Sequence, residues 1–121
     1  MAEFPPDRIE VVQGTKPVLT YNLTNFRNTL SPNEVIDITG YAFELVVRKR
    51  TGAEVWALNG TIVTAADGSF KFSLTHVQTF IPVGDYDAEI RWWASPPANR
   101  HNPDDAVVVP YIVKGGSSSW S

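Results

Sequence analysis

The sequence contains no cysteine and only 2 histidines among its 121 residues. Without cysteine the chain forms no disulfide, offers no thiolate to a metal and has no cysteine nucleophile. The histidines, His76 and His101, lie in different segments without companion ligands at metal spacing, so we interpret both as turn or loop residues. The sequence therefore predicts neither a metal site nor a cofactor.

Long apolar runs and an excess of positive charge are also lacking. No apolar stretch approaches the roughly 20 residues that a membrane helix needs, and residues 1–7 lack the basic and apolar regions of a secretory signal. The formal net charge is -3, which gives no support to a nucleic-acid partner. We therefore expect a protein made in the cytoplasm that binds neither membranes nor nucleic acids.

No segment shows a sustained helical period, whereas 9 prolines and 8 glycines indicate frequent turns and favour an all-β fold. Alternation with a period of two is clearest at residues 85–93. There Tyr86, Ile90 and Trp92 face one way and Trp93 faces the other. This pattern is typical of a strand with one buried face and one wet face.

The same alternation predicts strands along the whole chain. They cover residues 8–13, 17–23, 41–49, 53–58, 61–64, 69–74, 85–93 and 106–113. The pairs 51–52, 59–60 and 67–68 are hairpin-type turns, and residues 75–80 can form one helical turn. Pro110 has no N–H to donate to a neighbouring strand. The last strand is therefore an edge strand, or its backbone is unpaired on one side at Pro110. The pattern predicts an immunoglobulin-like β-sandwich of seven to eight antiparallel strands.

We predict one sandwich domain at residues 8–114, an N-terminal arm at residues 1–7 and a flexible Gly- and Ser-rich tail at residues 115–121. The buried rows are predicted to include Leu19, Tyr21, Phe43, Leu45, Val47, Phe70, Phe72, Tyr86, Ile90 and Trp92. The opposite row of the strand at 41–49, marked by Glu44 and Arg48 with Ala42 and Val46 beside them, is predicted to face solvent.

Several short motifs occur in an order that resembles a known family. They are Val-Gln-Gly-Thr at 12–15, Ile-Asp-Ile-Thr-Gly-Tyr at 36–41, Asp-Gly-Ser-Phe-Lys-Phe at 67–72 and Val-Gly-Asp-Tyr-Asp-Ala-Glu at 83–89. Over residues 8–114 the chain resembles the N-terminal immunoglobulin-like domain of phage baseplate upper proteins. Each motif is a turn or core position, so their order and spacing carry the resemblance.

The resemblance implies a non-enzymatic structural protein of a tailed phage. It would be an adaptor or attachment module in the tail, baseplate or fibre-attachment region, made in the host cytoplasm and incorporated into the virion. Its partners would be other virion proteins, and we expect a homo-oligomer in the particle. Family members usually continue into a helical linker and a further module, whereas this sequence stops at Ser121. An alternative location is the phage head, as a capsid decoration protein.

Large aromatic residues are candidate partner anchors. We name Trp93, Trp120 in the tail and Phe4 in the arm, because an exposed tryptophan buried by a partner contributes about 2 kcal/mol or more. The alternative for Trp93 is that it packs under the loop at residues 95–105. Trp56 is expected in the core of the second sheet. In an alternative function, a carbohydrate-binding module, Trp93, Trp56 and Tyr111 would form a platform for sugar rings.

The basic run Arg48, Lys49 and Arg50 is the other candidate partner surface. It could contact a phosphate or an acidic patch on a neighbouring subunit. The alternative is that these charges protect a strand end from aggregation. Because the overall charge is acidic, we favour the protective role over nucleic-acid binding.

Two sets of oxygen-bearing side chains are candidate chemical sites. Asn99, Asn102, Asp104 and Asp105 could attract calcium, but their spacing fits no calcium loop and we favour a solvated loop. Asp37, Asp67 and Asp85 lie at turns. No acid and base pair, nucleophile elbow or phosphate loop accompanies them, so we expect no enzymatic activity.

Overall fold

The computed structural model describes residues 4–26, 30, 34–94 and 105–115. Its strands are β1 Ile9–Val12, β2 Val18–Asn22, β3 Ala42–Lys49, β4 Glu54–Asn59, β5 Thr61–Thr64, β6 Ser69–Ser73, β7 Gly84–Trp93 and β8 Asp105–Lys114. A 3-10 turn, Ala65–Asp67, joins β5 to β6, and a helical turn, α1 (His76–Thr79), lies between β6 and β7. The sequence predicted each strand to within one residue at either end.

The strands form two sheets. The large sheet has five strands in the order β1-β8-β7-β3-β4, and the small sheet has three in the order β2-β6-β5. The predicted all-β sandwich is therefore confirmed, and its strand order is that of an immunoglobulin-like fold. The prediction of antiparallel strands is wrong for one pair, because β1 runs parallel to β8 with Ile9 opposite Tyr111. These strands come from opposite ends of the domain, so the intervening chain supplies the long crossover that a parallel pair requires.

The predicted hairpin at Asn59 and Gly60 is also wrong. Gly60 carries the chain from β4 in the large sheet to β5 in the small sheet. Its N–H donates to the carbonyl of Phe43 at 2.8 Å, and a Cβ at this position would lie 2.9 Å from the ring of Phe72. A glycine is needed here because the backbone crosses so close to the core, and the local sequence resembles a hairpin turn for that reason.

The core lies between the sheets and is rich in aromatic rings. Phe43 of β3 stacks on Phe70 of β6 with 4.0 Å between ring centroids, which joins the two sheets directly. Of the ten residues predicted to be buried, nine are buried, and Leu19 is partly buried against the same cluster. Burial alternates along β7 as predicted.

Phe4 corrects the predicted N-terminal arm. Its side chain is only 5% exposed. Its ring centroid lies 5.5 to 6.1 Å from those of Tyr21, Phe26, Phe70 and Trp92, which belong to both sheets and the loop after β2. Phe4 therefore closes one end of the sandwich and is not available as an exposed partner anchor. The sequence predicts an arm outside the domain for this proline-containing segment, because a single buried residue leaves no periodic pattern.

The connection from β6 to β7 is fixed by local hydrogen bonds. Thr75 and Gln78 form a capping box at α1, in which the Thr75 N–H donates to Gln78 Oε1 at 2.9 Å. The predicted helical turn at residues 75–80 is confirmed. At the start of β7 the Tyr86 hydroxyl donates to the carbonyl of Pro82 at 2.6 Å. This bond is the tyrosine corner found in many immunoglobulin-like domains.

Pro110 lies in an interior strand, because β8 has β7 on one side and β1 on the other. The pairing with β1 starts only at Tyr111, so the nitrogen of Pro110 faces no β1 partner. The prediction that β8 is an edge strand is therefore wrong. The alternative, that Pro110 lies where one side of the strand is unpaired, is correct.

Candidate interaction surfaces

A network of charged side chains covers part of the outer face of the large sheet. Glu89 Oε1 accepts hydrogen bonds from Arg48 Nη1, from Arg91 Nε at 2.9 Å and from Arg91 Nη2 at 2.8 Å. Arg91 Nη1 also lies 3.8 Å from Glu44 Oε1. Burial alone would raise the pKa of Glu89, but the hydrogen bonds from Arg48 and Arg91 outweigh burial and lower it. Glu89 therefore stays ionised and links two strands.

This network buries residues that were predicted to be wet. Glu44 is 4% exposed and Val46 is 0% exposed. Val46 lies between Glu44 and Arg48 on β3 and opposite Glu89 on β7. Its neighbours on this face are long ion-paired side chains, whose apolar stems can cover a residue that lies between them. The prediction of a wet row is wrong at these two positions, although the side chains do point away from the core.

The basic run at residues 48–50 is largely neutralised within the chain. Arg48 pairs with Glu89, and Arg50 Nε lies 3.4 Å from Asp87 Oδ1. Lys49 is exposed at the end of β3. A shallow cleft of about 160 Å³ beside the run is lined by Arg48, Lys49, Gly52, Asp87, Glu89 and Val108. Since acidic groups share this cleft with the basic ones, it lacks the net positive charge that binds phosphate.

The outer face of the small sheet has a different composition. Its outward side chains are Val18, Thr20, Asn22, Thr61, Thr64, Ser69, Lys71 and Ser73. In the three strands β2, β5 and β6, Lys71 is the only charged residue. Hydroxyl groups dominate this face, and it has no ion-pair network within its three strands.

The tryptophans do not form the sugar platform of the carbohydrate-binding alternative. Tyr111 is fully buried, and Trp56 packs edge-on against it with 6.1 Å between ring centroids. Trp56 belongs to β4 of the large sheet, so its expected place in the second sheet is wrong. Trp93 is half-buried on the outer face, opposite Ala42. Because Trp56 and Tyr111 face the core, the three rings cannot share an exposed plane.

Exposed apolar side chains occur where the sequence analysis named no anchor, on the connection between β6 and β7. Val77 is 67% exposed, and Phe80 and Val83 are each 58% exposed. Thr79 is the residue of α1 that meets the domain, since it is buried and its hydroxyl donates to the carbonyl of Thr15 at 2.7 Å. Val77 and Phe80 are therefore turned outward. The sequence gives little indication of which side chains of α1 are exposed, because one helical turn is too short to show a repeating pattern of apolar residues.

Two of the carboxylates named in the sequence, Asp37 and Asp105, accept local hydrogen bonds. Asp37 Oδ1 accepts hydrogen bonds from the Thr39 N–H at 2.9 Å and from the Thr39 hydroxyl at 2.6 Å. These bonds lower the pKa of Asp37. At the start of β8, Asp105 Oδ1 accepts from the Ala106 N–H at 2.8 Å. Both carboxylates thus stabilise local backbone conformations.

Five residues weighed in the sequence analysis lie outside the described part of the chain. They are Asn99, His101, Asn102, Asp104 and Trp120. His76 is exposed at the first position of α1. Among the residues that the structure describes, no group of three or more His, Cys, Asp or Glu is placed to hold a metal ion. In the same residues no helix has the length and apolar character needed to cross a membrane.

Comparisons with known proteins find a similarity in structure. No protein-family model matches the sequence, and no curated protein matches it. A solved structure, the N-terminal domain of phage TP901-1 ORF48, superimposes with a TM-score of 0.62 at 11% sequence identity. The match covers 94% of this chain and 99% of that one. At this identity the likeness shows a common fold, and the chain is similar to that domain across nearly its whole length.

Proposed function

We propose that the protein is a non-enzymatic structural component of a tailed-phage particle. It would act as an attachment module in the tail, baseplate or fibre-attachment region and hold other virion proteins. The observation that carries this proposal is the structural likeness to the N-terminal domain of a phage protein, which covers 94% of this chain and 99% of that domain. The order of short motifs, which resembles phage baseplate upper proteins, supports the same role.

The described surface supports a scaffold role. On the large sheet charged side chains pair across β3 and β7 and within β7, which fixes the shape of that face. A rigid sandwich holds its sheet edges in constant positions, as an adaptor between neighbouring proteins requires. In this role the protein contributes geometry and contact surface, and the proposal assigns no catalytic residue.

Immunoelectron microscopy of phage particles tests this proposal. Antibodies would be raised against the purified protein and applied to particles of the phage or prophage that carries the gene. Gold label at the tail end of intact particles is the expected result, and mass spectrometry of the same particles should detect the protein. Label on the head lattice would favour the capsid decoration role instead. Protein present in producing cells but absent from particles by both methods would refute a virion function.

A further inference from the structure

The four sheet edges formed by the described strands are not equally protected. β1 and β4 border the large sheet, and β2 and β5 border the small sheet. An edge strand presents unpaired N–H and C=O groups that can pair with another chain. Proteins that must stay separate protect such edges with charges, prolines or bulges. The edges can therefore be compared by the protection that each carries.

Three of these edges are protected. On β1, Glu10 makes ion pairs of 2.8 Å with both Arg8 and Lys114. On β4 the register shifts opposite Val47 and Arg48. On β5 the register shifts between Ile62 and Thr64, which leaves Val63 as a bulge. Charged side chains resist an incoming strand because they would lose water, and bulges interrupt the regular spacing of donors and acceptors.

The β2 edge carries none of these features. Its sequence is Val-Leu-Thr-Tyr-Asn, without charge or proline. It pairs with β6 in unbroken register, from Val18 opposite Ser73 to Asn22 opposite Ser69. β2 is thus a regular, uncharged strand with one side unpaired in the described structure.

Backbone hydrogen bonds at both ends of β2 show which groups face its open side. The Leu74 N–H donates to the carbonyl of Pro17, and the Leu23 N–H donates to the carbonyl of Gly68. Odd-numbered residues therefore bond toward β6. Because bonding direction alternates along an antiparallel strand, the N–H and C=O groups of Val18, Thr20 and Asn22 point to the open side.

We infer that β2 pairs antiparallel with β2 of a second copy of this chain, with Thr20 opposite Thr20 across a twofold axis. This register sets Leu19 opposite Tyr21 and Val18 opposite Asn22. The two small sheets would become one six-stranded sheet, and the pairing would be of the isologous type. The inference goes beyond the proposed function and does not depend on it.

Self-complementarity identifies a second copy as the occupant. The twofold pairing brings together no like charges, and threonine opposite threonine is a favourable cross-strand pair. Leu19, which is only partly buried at this edge, would lose part of its remaining exposed surface to the added strand. A similar pairing of β1 would have to accommodate the ion-paired side chains of Arg8 and Glu10, which β2 lacks.

Charge substitution at Thr20 tests the pairing. Light scattering after size-exclusion chromatography would measure the mass of the full chain from low micromolar to near-millimolar concentration. The wild type should form a dimer as concentration rises. Thr20→Lys and Thr20→Glu should each weaken the dimer at least roughly tenfold, since like charges would lie directly opposite. An equimolar mixture of the two variants should restore it, because opposite charges then face each other.

A matched substitution and a folding measurement complete the test. Thr64→Lys, at another exposed hydroxyl of the same face but on β5, should leave the dimer unchanged. Circular dichroism should show that every variant is folded. A wild type that stays monomeric at all concentrations would overturn the inference. So would a dimer that persists in both Thr20 variants, or a mixture of the two that stays monomeric.

Discussion

The outer faces of the two sheets are formed by the same alternation of side chains, but they differ in composition and in how far their charged residues are buried. On the large sheet the outward row contains Glu44 and Arg91, whose side chains are only 5% and 13% exposed. On the small sheet the outward row consists mostly of hydroxyl groups, with Lys71 as the one charge in its three strands. An outward-pointing residue is therefore not necessarily a wet one. Its exposure depends on what its cross-strand neighbours can place over it.

Cross-strand pairing explains the difference. On the large sheet Glu44 lies opposite Arg91, and Arg48 lies opposite Asp87. Opposite charges on neighbouring strands stabilise a sheet, and here they are long enough to cover Val46 between them. On the small sheet Thr20 lies opposite Lys71, and threonine is too short to cover its neighbours. We conclude that ion pairs between strands stabilise the large-sheet face, whereas the three strands of the small sheet contain no such pairs.

The largest expected loss of stability comes from the core between the two sheets. It gives a reference value for substitutions on the two outer faces. Phe4→Ala should lower the free energy of unfolding by about 3–5 kcal/mol, because it removes a buried ring and leaves a cavity. Urea denaturation of the full chain measures this loss. Phe4→Leu, which keeps most of the apolar volume, should cost clearly less. If Phe4→Ala cost under about 1 kcal/mol, typical of a surface position, the N-terminal segment would not belong to the core.

Removing one charge from each face compares them directly. Arg91→Met should cost about 3 kcal/mol, because it leaves Glu44 and Glu89 in a buried site with one cation fewer. Lys71→Met on the small sheet should change stability by less than about 0.5 kcal/mol, as is usual for surface sites. Urea denaturation at neutral pH gives both values. Equal costs would contradict the assignment of a stabilising network to the large sheet alone.

The comparison also shows how far the sequence could predict the fold. Period-two alternation and turn residues locate the strands and most of the core, since both depend on neighbours along the chain. The parallel pairing of β1 with β8 and the change of sheet at Gly60 depend on residues far away in sequence. Phe4 is the clearest case. Nothing beside it in sequence indicates that it closes the sandwich.

Candidate surfaces were harder to predict than strands. Alternation places Trp93 on the outer face, and Arg48 and Arg50 belong to a basic run, yet Trp93 is half-buried and the two arginines pair with acids on β7. Phe80 was not named and is exposed, because Thr79 is the residue of α1 that contacts the domain. Exposure follows from contacts between distant elements, so residue type alone cannot assign it.

Acidic pH should remove the stability that the ion pairs of Glu89 contribute on the large-sheet face, and should have no comparable effect on the small-sheet face. The pKa of Glu89 in the folded protein is below its ordinary value of 4.5, because the hydrogen bonds from Arg48 and Arg91 outweigh the opposing effect of burial. Its contribution to stability is therefore fully present above pH 4.5 and is lost as the pH falls through the lower folded-state pKa. In Glu89→Gln the free energy of unfolding should fall less steeply over this acid range than in the wild type.

Urea denaturation at a series of pH values between neutral and strongly acidic provides the measurement. Lys71→Gln, on the small sheet, should keep the wild-type dependence. A residual slope is expected in every variant, since the pKa of Asp37 is also lowered, by its hydrogen bonds from Thr39. If Glu89→Gln and the wild type had the same slope, the ion pairs of Glu89 would not contribute to stability in solution.

The smallest expected effect concerns the small-sheet face in the monomer. Thr20→Glu and Thr20→Lys should differ in stability by only about 0.5 kcal/mol, with glutamate favoured because Lys71 lies directly opposite. Thermal unfolding at low micromolar concentration measures this difference, and Thr64, which lies opposite the neutral Ser69, should show almost none when substituted in the same way. A difference of several kcal/mol at Thr20 would mean that this face also holds a stabilising charge network. If the difference is small, both Thr20 variants are stable as monomers. Failure of either variant to dimerise would then reflect the loss of strand pairing and not the loss of its fold.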